Sequence, residues 1–155
     1  MPGDPGRALR LAQALLDTPR MFNHHRGLWG YTGGAADGEP LTIQATGMGG
    51  PSAAIVVEEL AQLGVQTVVR VGTCRALRPD LRLGDLIVAR EVRGEDGASR
   101  GLGAPAVQRP DRALIAALAG AGDDVVEGAI VSTDLFYDPD EDRATAWAAA
   151  GALAV

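Results

Sequence analysis

Hydrophobic positions along the chain alternate between helical and extended spacing. Ala8, Leu11, Ala12, Leu15 and Leu16 recur at helical intervals behind Asp4 and Pro5, a capping residue followed by a proline suited to a first turn. Residues 28–32 carry Trp29 and Tyr31 and predict a strand. Residues 41–46 alternate and predict a second, with residues 33–40 as the hairpin loop between them. Ile55, Val56, Leu60 and Leu63 then form the stripe of a helix that opens at Pro51 and stops at Gly64. Residues 67–71 are β-branched and apolar, the composition of an interior strand. Strands are predicted at 86–90 and 125–131, with another beginning at 152–155. Helices are predicted at 111–118 and from Asp140 or Glu141 through Ala149. Residues 93–110 are glycine-rich and read as an irregular, mobile flap. This alternation predicts a single α/β domain over residues 1–155, a three-layer α/β/α arrangement around a mixed, largely parallel central sheet.

Composition narrows the function classes. A net charge of −6 argues against non-specific nucleic-acid binding, although local arginine clusters still hold small anions. No apolar run approaches a membrane span and the first residues lack a signal-peptide core, so a cytoplasmic protein is expected. A single cysteine, Cys74, leaves no internal disulfide and no cysteine-based zinc site.

Candidate chemistry concentrates in residues 45–76. Gly47, Gly49 and Gly50 permit a tight turn between a strand and a helix, with backbone N–H groups close to a ligand. GMGGPS imitates a dinucleotide fingerprint, but Ser52 replaces its last glycine and the next strand ends without an acidic residue; Gly-Lys-Ser/Thr is absent as well. Arg70, Thr73 and Cys74 follow at the predicted carboxyl end of a strand, where open α/β sheets bind ligands. Arg7, Arg26 and Arg70 lie at element ends or beside glycine, and a guanidinium makes charge-assisted, bidentate bonds to phosphate oxygens. For Arg7, in the first turn of a helix whose N–H groups favour anions, the alternative is a solvated surface arginine. For Arg70 it is a salt bridge to a carboxylate. Cys74 reads as a buried structural thiol rather than a nucleophile. His24 and His25, adjacent on an extended segment, point to opposite sides and make a polar turn or subunit contact rather than a metal pair. Phe136 and Tyr137 either stack on a planar base or close the core.

Taken together, MPGDPGR, NHHRGLWGYTG, TGMGGPSAAIVVEELAQLG, VRVGTC, LGDLIVA and STDLFY resemble the hexameric purine nucleoside phosphorylases, in the superfamily that also holds uridine and methylthioadenosine phosphorylases. The resemblance implies reversible phosphorolysis of a nucleoside to free base and ribose 1-phosphate, with phosphate as co-substrate and no metal or organic cofactor. It implies that Gly3, Arg7, Arg26, Arg70, Gly72 and Thr73 hold phosphate, Arg7 and Arg70 acting in catalysis. Met48, Thr73, Cys74 and Phe136 would face the nucleoside. It further implies a homo-oligomer, a hexamer built as a trimer of dimers, in which Arg26 serves the neighbouring subunit's site; neither nucleic acid nor membrane is a partner. GGPS, VEELAQLG and DGAS are shared with uridine phosphorylases, whereas DPDEDRATAW directly after Phe136-Tyr137 is of the purine type. Arg75 stands where the family usually has glycine, close to the expected base. The family's Glu-Met-Glu ribose segment, its Ser-Asp proton donor and its first strand have no counterpart in these residues, so the chain reads as a fragment or a decayed copy of such an enzyme.

Overall fold

Asp4 starts the first helix as expected: its carboxylate accepts the Arg7 backbone N–H at 2.6 Å, and Pro5 opens the first turn of α1 (Pro5–Leu15). The computed structural model in which this is seen describes residues 1–122 and 124–155, and the chain divides into two compact units, Met1–Thr73 and Cys74–Val155.

In the first unit, α1 lies on an antiparallel sheet ordered β1 (Asp17–Asn23), β2 (Gly30–Gly34), β3 (Pro40–Gln44). Ala8 and Ala12 are fully buried against Leu16, Tyr31, Ile43 and Ala45; their small size lets the helix approach the sheet closely. The hairpin forms with a loop over residues 35–39, but its first strand begins two residues later than the pattern predicts. Leu28 is held outside the ladder: its N–H closes a 3-10 turn on the His25 carbonyl, and its own carbonyl accepts from the Asn23 and Gln44 side chains at 2.7 and 2.9 Å. β1 is a polar, exposed edge strand with Pro19 in it, which explains why no apolar alternation announces it.

Residues 67–71 are not a strand. Their main chain meets one neighbour, Met1, whose amino group donates to the Val69 carbonyl and whose carbonyl accepts from Val71, and Val68 and Val71 remain exposed. A β-branched run becomes an interior strand only where ladders form along it. The glycine turn does open a helix, α2 (Gly50–Gln62), and Gly64 turns the chain out of it at φ 93°. Of its expected apolar stripe Val56 is buried, while Ile55 and Leu63 are exposed.

The second unit contains the parallel pairing that the alternation predicts. Its sheet runs β5 (Val107–Gln108), β4 (Leu86–Gly94), β6 (Val125–Ser132), β7 (Ala152–Ala154), with β4, β6 and β7 parallel and β5 antiparallel to β4. Helix α4 (Arg112–Ala119) packs on β4 and β6, and α5 (Arg143–Ala149) packs on β7, burying Trp147 with Val131 and Ala152. Asp111 caps α4 by accepting the Leu114 N–H at 3.0 Å.

Residues 93–110 are more ordered than their composition predicts. β4 continues to Gly94, helix α3 (Gly97–Gly101) follows, and β5 returns against Val92 and Arg93. The ordering element is Asp96, only 3% exposed, whose carboxylate takes the backbone N–H of Ser99 at 2.7 Å and its hydroxyl at 2.9 Å. Burial pushes the Asp96 pKa up, but these donors and the Ser132 hydroxyl outweigh it and leave the carboxyl below its ordinary value of 3.8. A depressed folded pKa contributes stability above the unfolded value and loses it as pH falls through the folded one. Ser99→Ala is therefore predicted to be less stable than wild type by a margin that is full above about pH 5 and closes as the pH drops below the carboxylate range. Unfolding midpoints followed by circular dichroism from pH 7 to pH 2 check this; an unchanged margin down to pH 2 would refute it.

Candidate anion site

The glycine turn after β3 is shaped by two residues that the sequence pattern leaves in the background. Thr46 is 3% exposed; its N–H donates to the Pro2 carbonyl at 2.9 Å, and its hydroxyl lies 3.3 Å from the Pro2 and Gly47 carbonyls alike. Ser52, in the first turn of α2, donates from its Oγ to the Thr46 carbonyl at 2.6 Å. Gly47 has φ 72°, and a Cβ there would stand 2.7 Å from the Ser52 Oγ, so glycine is required both by conformation and by space. In the sequence Ser52 signals only a broken fingerprint; here it fixes the turn.

Pro2 bonds to Thr46, and Met1 bonds to Val69 through its amino group and to Val71 through its carbonyl. That main-chain contact sets Gly3, Gly47 and Arg70 next to one another. A Cβ on Gly3 would lie 3.2 Å from the Gly47 carbonyl oxygen and 3.9 Å from Arg70 Nη2. Arg70 folds back over Gly72, so that a Cβ on Gly72 would overlap Nη1 and stand 3.0 Å from Cζ. Three of the expected phosphate ligands, Gly3, Arg70 and Gly72, are thus brought together.

The salt-bridge alternative for Arg70 is not realised: among the described residues of the first unit, no carboxylate lies within ion-pair distance of Arg7, Arg26 or Arg70. In the second unit Arg78, Arg90, Arg93, Arg109 and Arg143 all have carboxylate partners. The Met1 amino group is held below its ordinary range, chiefly by burial and then by the positive charge of Arg70. An unpaired guanidinium beside free main-chain N–H groups is an arrangement that attracts a compact anion.

Arg7 is half-buried in the first turn of α1. Its own N–H is spent on Asp4, so fewer free helix N–H groups face a ligand there than the sequence suggests. Arg26 is exposed in a turn at φ 55°. The neighbouring histidines correct the extended reading: the chain turns in a 3-10 helix, His25–Gly27, and the His24 and His25 rings stack with centroids 4.6 Å apart instead of pointing to opposite sides. Thr73 is exposed, and Met48 stands 95% exposed on the glycine turn.

Cys74 and Phe136 belong to the second unit. Cys74 is exposed, not buried. Arg75, beside it, is also exposed, and its main chain exchanges bonds of 2.8 and 3.0 Å with Val155. Phe136 and Tyr137 do not close the core. They are 86% and 88% exposed and meet edge to face at 5.0 Å. Near them in sequence, Thr133, Asp134 and Leu135 line an open depression of about 520 Å³ with Glu95, Arg100 and Arg143. Asp134 also accepts the Gly97 N–H at 2.6 Å, which ties the end of β6 to α3. No helix among the described residues is long and apolar enough to cross a membrane.

Comparison with known proteins agrees with the motifs. Residues 1–155 match the family model described as Phosphorylase superfamily. A guanosine phosphorylase of Halorubrum lacusprofundi is 41% identical over 162 residues, covering 100% of this chain and 66% of the relative. A DeoD-type purine nucleoside phosphorylase of Caldanaerobacter subterraneus is 36% identical over 163 residues, covering 100% and 69%. A uridine phosphorylase of Haemophilus influenzae is 39% identical over 148 residues, covering 92% of this chain and 58% of the relative. The chain thus spans 58–69% of the length of these relatives. Matched by this family model along its whole length, the chain belongs to the phosphorylase superfamily.

Proposed function

We propose that the chain carries the phosphate half of a purine nucleoside phosphorylase site, in a cytoplasmic enzyme that splits purine ribonucleosides with inorganic phosphate into free base and ribose 1-phosphate. The observation that carries this reading is Arg70, folded over Gly72 beside Gly3, with no carboxylate among the described residues of its unit at ion-pair distance. The Gly3 N–H, the Arg7 and Arg70 guanidinium groups, Gly72 and Thr73 bind phosphate. They hold one oxygen beneath the anomeric carbon, so that attack is an oriented step. As the C1′–N bond breaks, its electron pair leaves with the base, which takes up a proton. The sugar becomes oxocarbenium-like, and the adjacent phosphate charge stabilises it. In the first unit Met48, exposed on the glycine turn, is a nucleoside contact; in the second, taken by itself, the exposed Phe136 offers a face for a base. Phosphate is the co-substrate, with no metal or organic cofactor. Arg26, exposed in its turn, reaches the site of a neighbouring subunit in a homo-oligomer.

The purine assignment rests on the segment following Phe136-Tyr137 and on the relatives named for guanosine and purine nucleosides. Release of base from inosine, guanosine, methylthioadenosine and uridine, each with and without phosphate, tests it. Phosphate-dependent release from inosine and guanosine is expected. Turnover of uridine alone would overturn the purine assignment, and no turnover would leave a phosphate-binding protein without the enzymatic step.

Phosphate binding has its own test. At Gly72 an added methyl meets the movable end of a flexible side chain, so Gly72→Ala displaces the Arg70 guanidinium without straining the fold. It is predicted to weaken phosphate binding by about 10- to 100-fold, the value of one charge-assisted hydrogen bond, with an unchanged unfolding midpoint. Arg70→Ala is expected to match it. Calorimetric titration with phosphate, paired with thermal unfolding, separates the two quantities; Gly72→Ala binding as tightly as wild type would remove Arg70 from the site.

A further inference from the structure

The Pro2 carbonyl and the Gly3 N–H are opposite ends of one peptide unit. Such a unit is planar, and in this chain it is trans, so fixing the direction of the carbonyl also fixes the direction of the N–H. Thr46 fixes that carbonyl: its N–H donates to Pro2 O at 2.9 Å, and its hydroxyl lies 3.3 Å from the same oxygen. Among the described residues the Gly3 N–H donates to no protein acceptor, and the site of Gly3 borders the Gly47 carbonyl and Arg70 Nη2. We infer that Thr46 is a positioning residue for anion binding, aiming the Gly3 N–H at the space beside the Arg70 guanidinium and polarising it by donating to the far end of the same peptide.

Further geometry supports this role. Thr46 is buried, so its hydroxyl has no water to exchange with and stays committed to main-chain carbonyls. Ser52 holds the next peptide in the same manner, donating to the Thr46 carbonyl at 2.6 Å and leaving the Gly47 N–H on the other side. Gly47 N–H likewise has no protein acceptor among the described residues. Two successive clamps, Thr46 on Pro2 and Ser52 on Thr46, leave two glycine N–H groups free and oriented. Hydrogen bonds in such a chain strengthen one another, so the Gly3 N–H becomes a better donor while its carbonyl is held.

This inference rests on the phosphate reading above, and the experiment keeps the two apart. Thr46→Val keeps the shape and the backbone N–H but removes the hydroxyl; Thr46→Ser restores the hydroxyl. The probe is inorganic phosphate, titrated calorimetrically into the full chain, with the Gly3 amide proton shift recorded by NMR without and with phosphate. Thr46→Val is expected to bind phosphate about twofold more weakly, the fraction by which a coupled hydrogen bond strengthens its neighbour, and to show an upfield Gly3 amide shift. Thr46→Ser is expected to recover both. A purely structural role would lower the unfolding midpoint without moving the Gly3 amide. If wild type binds phosphate and Thr46→Val binds it equally with an unmoved Gly3 amide, the inference is wrong while the phosphate reading stands. If wild type does not bind phosphate, both fall.

Discussion

The anion site of the first unit depends on a close approach of main chains at glycine positions. The Gly47 carbonyl oxygen sits 3.2 Å from where a Gly3 side chain would begin, and Arg70 occupies the space that a Gly72 side chain would fill. A side chain at Gly3 would press on the Gly47 carbonyl, and one at Gly72 would move the Arg70 guanidinium aside. With glycine there, the start of the chain bonds to Thr46 on one side and to Val69 and Val71 on the other. The site is therefore built from backbone, with one long side chain laid across it.

In the second unit Arg93 and Arg109 flank Glu91, each at 3.2 Å, and Arg143 meets Asp138 and Asp140, whereas Arg75, Arg82, Arg100 and Arg112 have no ion-pair partner among the described residues. Such exposed or half-exposed pairs contribute little to stability one by one, but they hold loops in place. In the first unit Arg7, Arg26 and Arg70 are left without carboxylates. A guanidinium that is neither paired nor buried keeps its full attraction for an incoming anion, and in a net-negative chain such an unpaired group is selective for where that anion settles.

Much of this was legible in the sequence wherever a local rule decides the outcome. Asp4 and Asp111 cap helices, and Gly64 ends one, because capping depends on a few neighbouring atoms. The parallel strands β4 and β6 are legible as short apolar runs between helices. The failures are cases where a distant partner decides. Residues 67–71 have strand composition and lack a ladder; β1 has polar composition and finds one in β2. Helix α3 contains two glycines and depends on the buried Asp96 cap, which no periodicity reveals. For the site, the motifs identified Gly3, Arg70 and Gly72 individually, but no pattern shows that residues so far apart in the chain converge. Thr46 and Ser52 were passed over because a hydroxyl bonded to a main-chain carbonyl leaves no mark in spacing or charge.

The proposed anion settles at the junction of Gly3, Gly47 and Arg70. A titration of isotopically labelled protein with inorganic phosphate, followed by amide and arginine Nε–H shifts, tests it most directly. The largest changes are expected on the Gly3, Gly47 and Gly72 amides and on Arg70 Nε. Changes confined to the depression lined by Arg100 and Arg143, with the glycine turn silent, would contradict it.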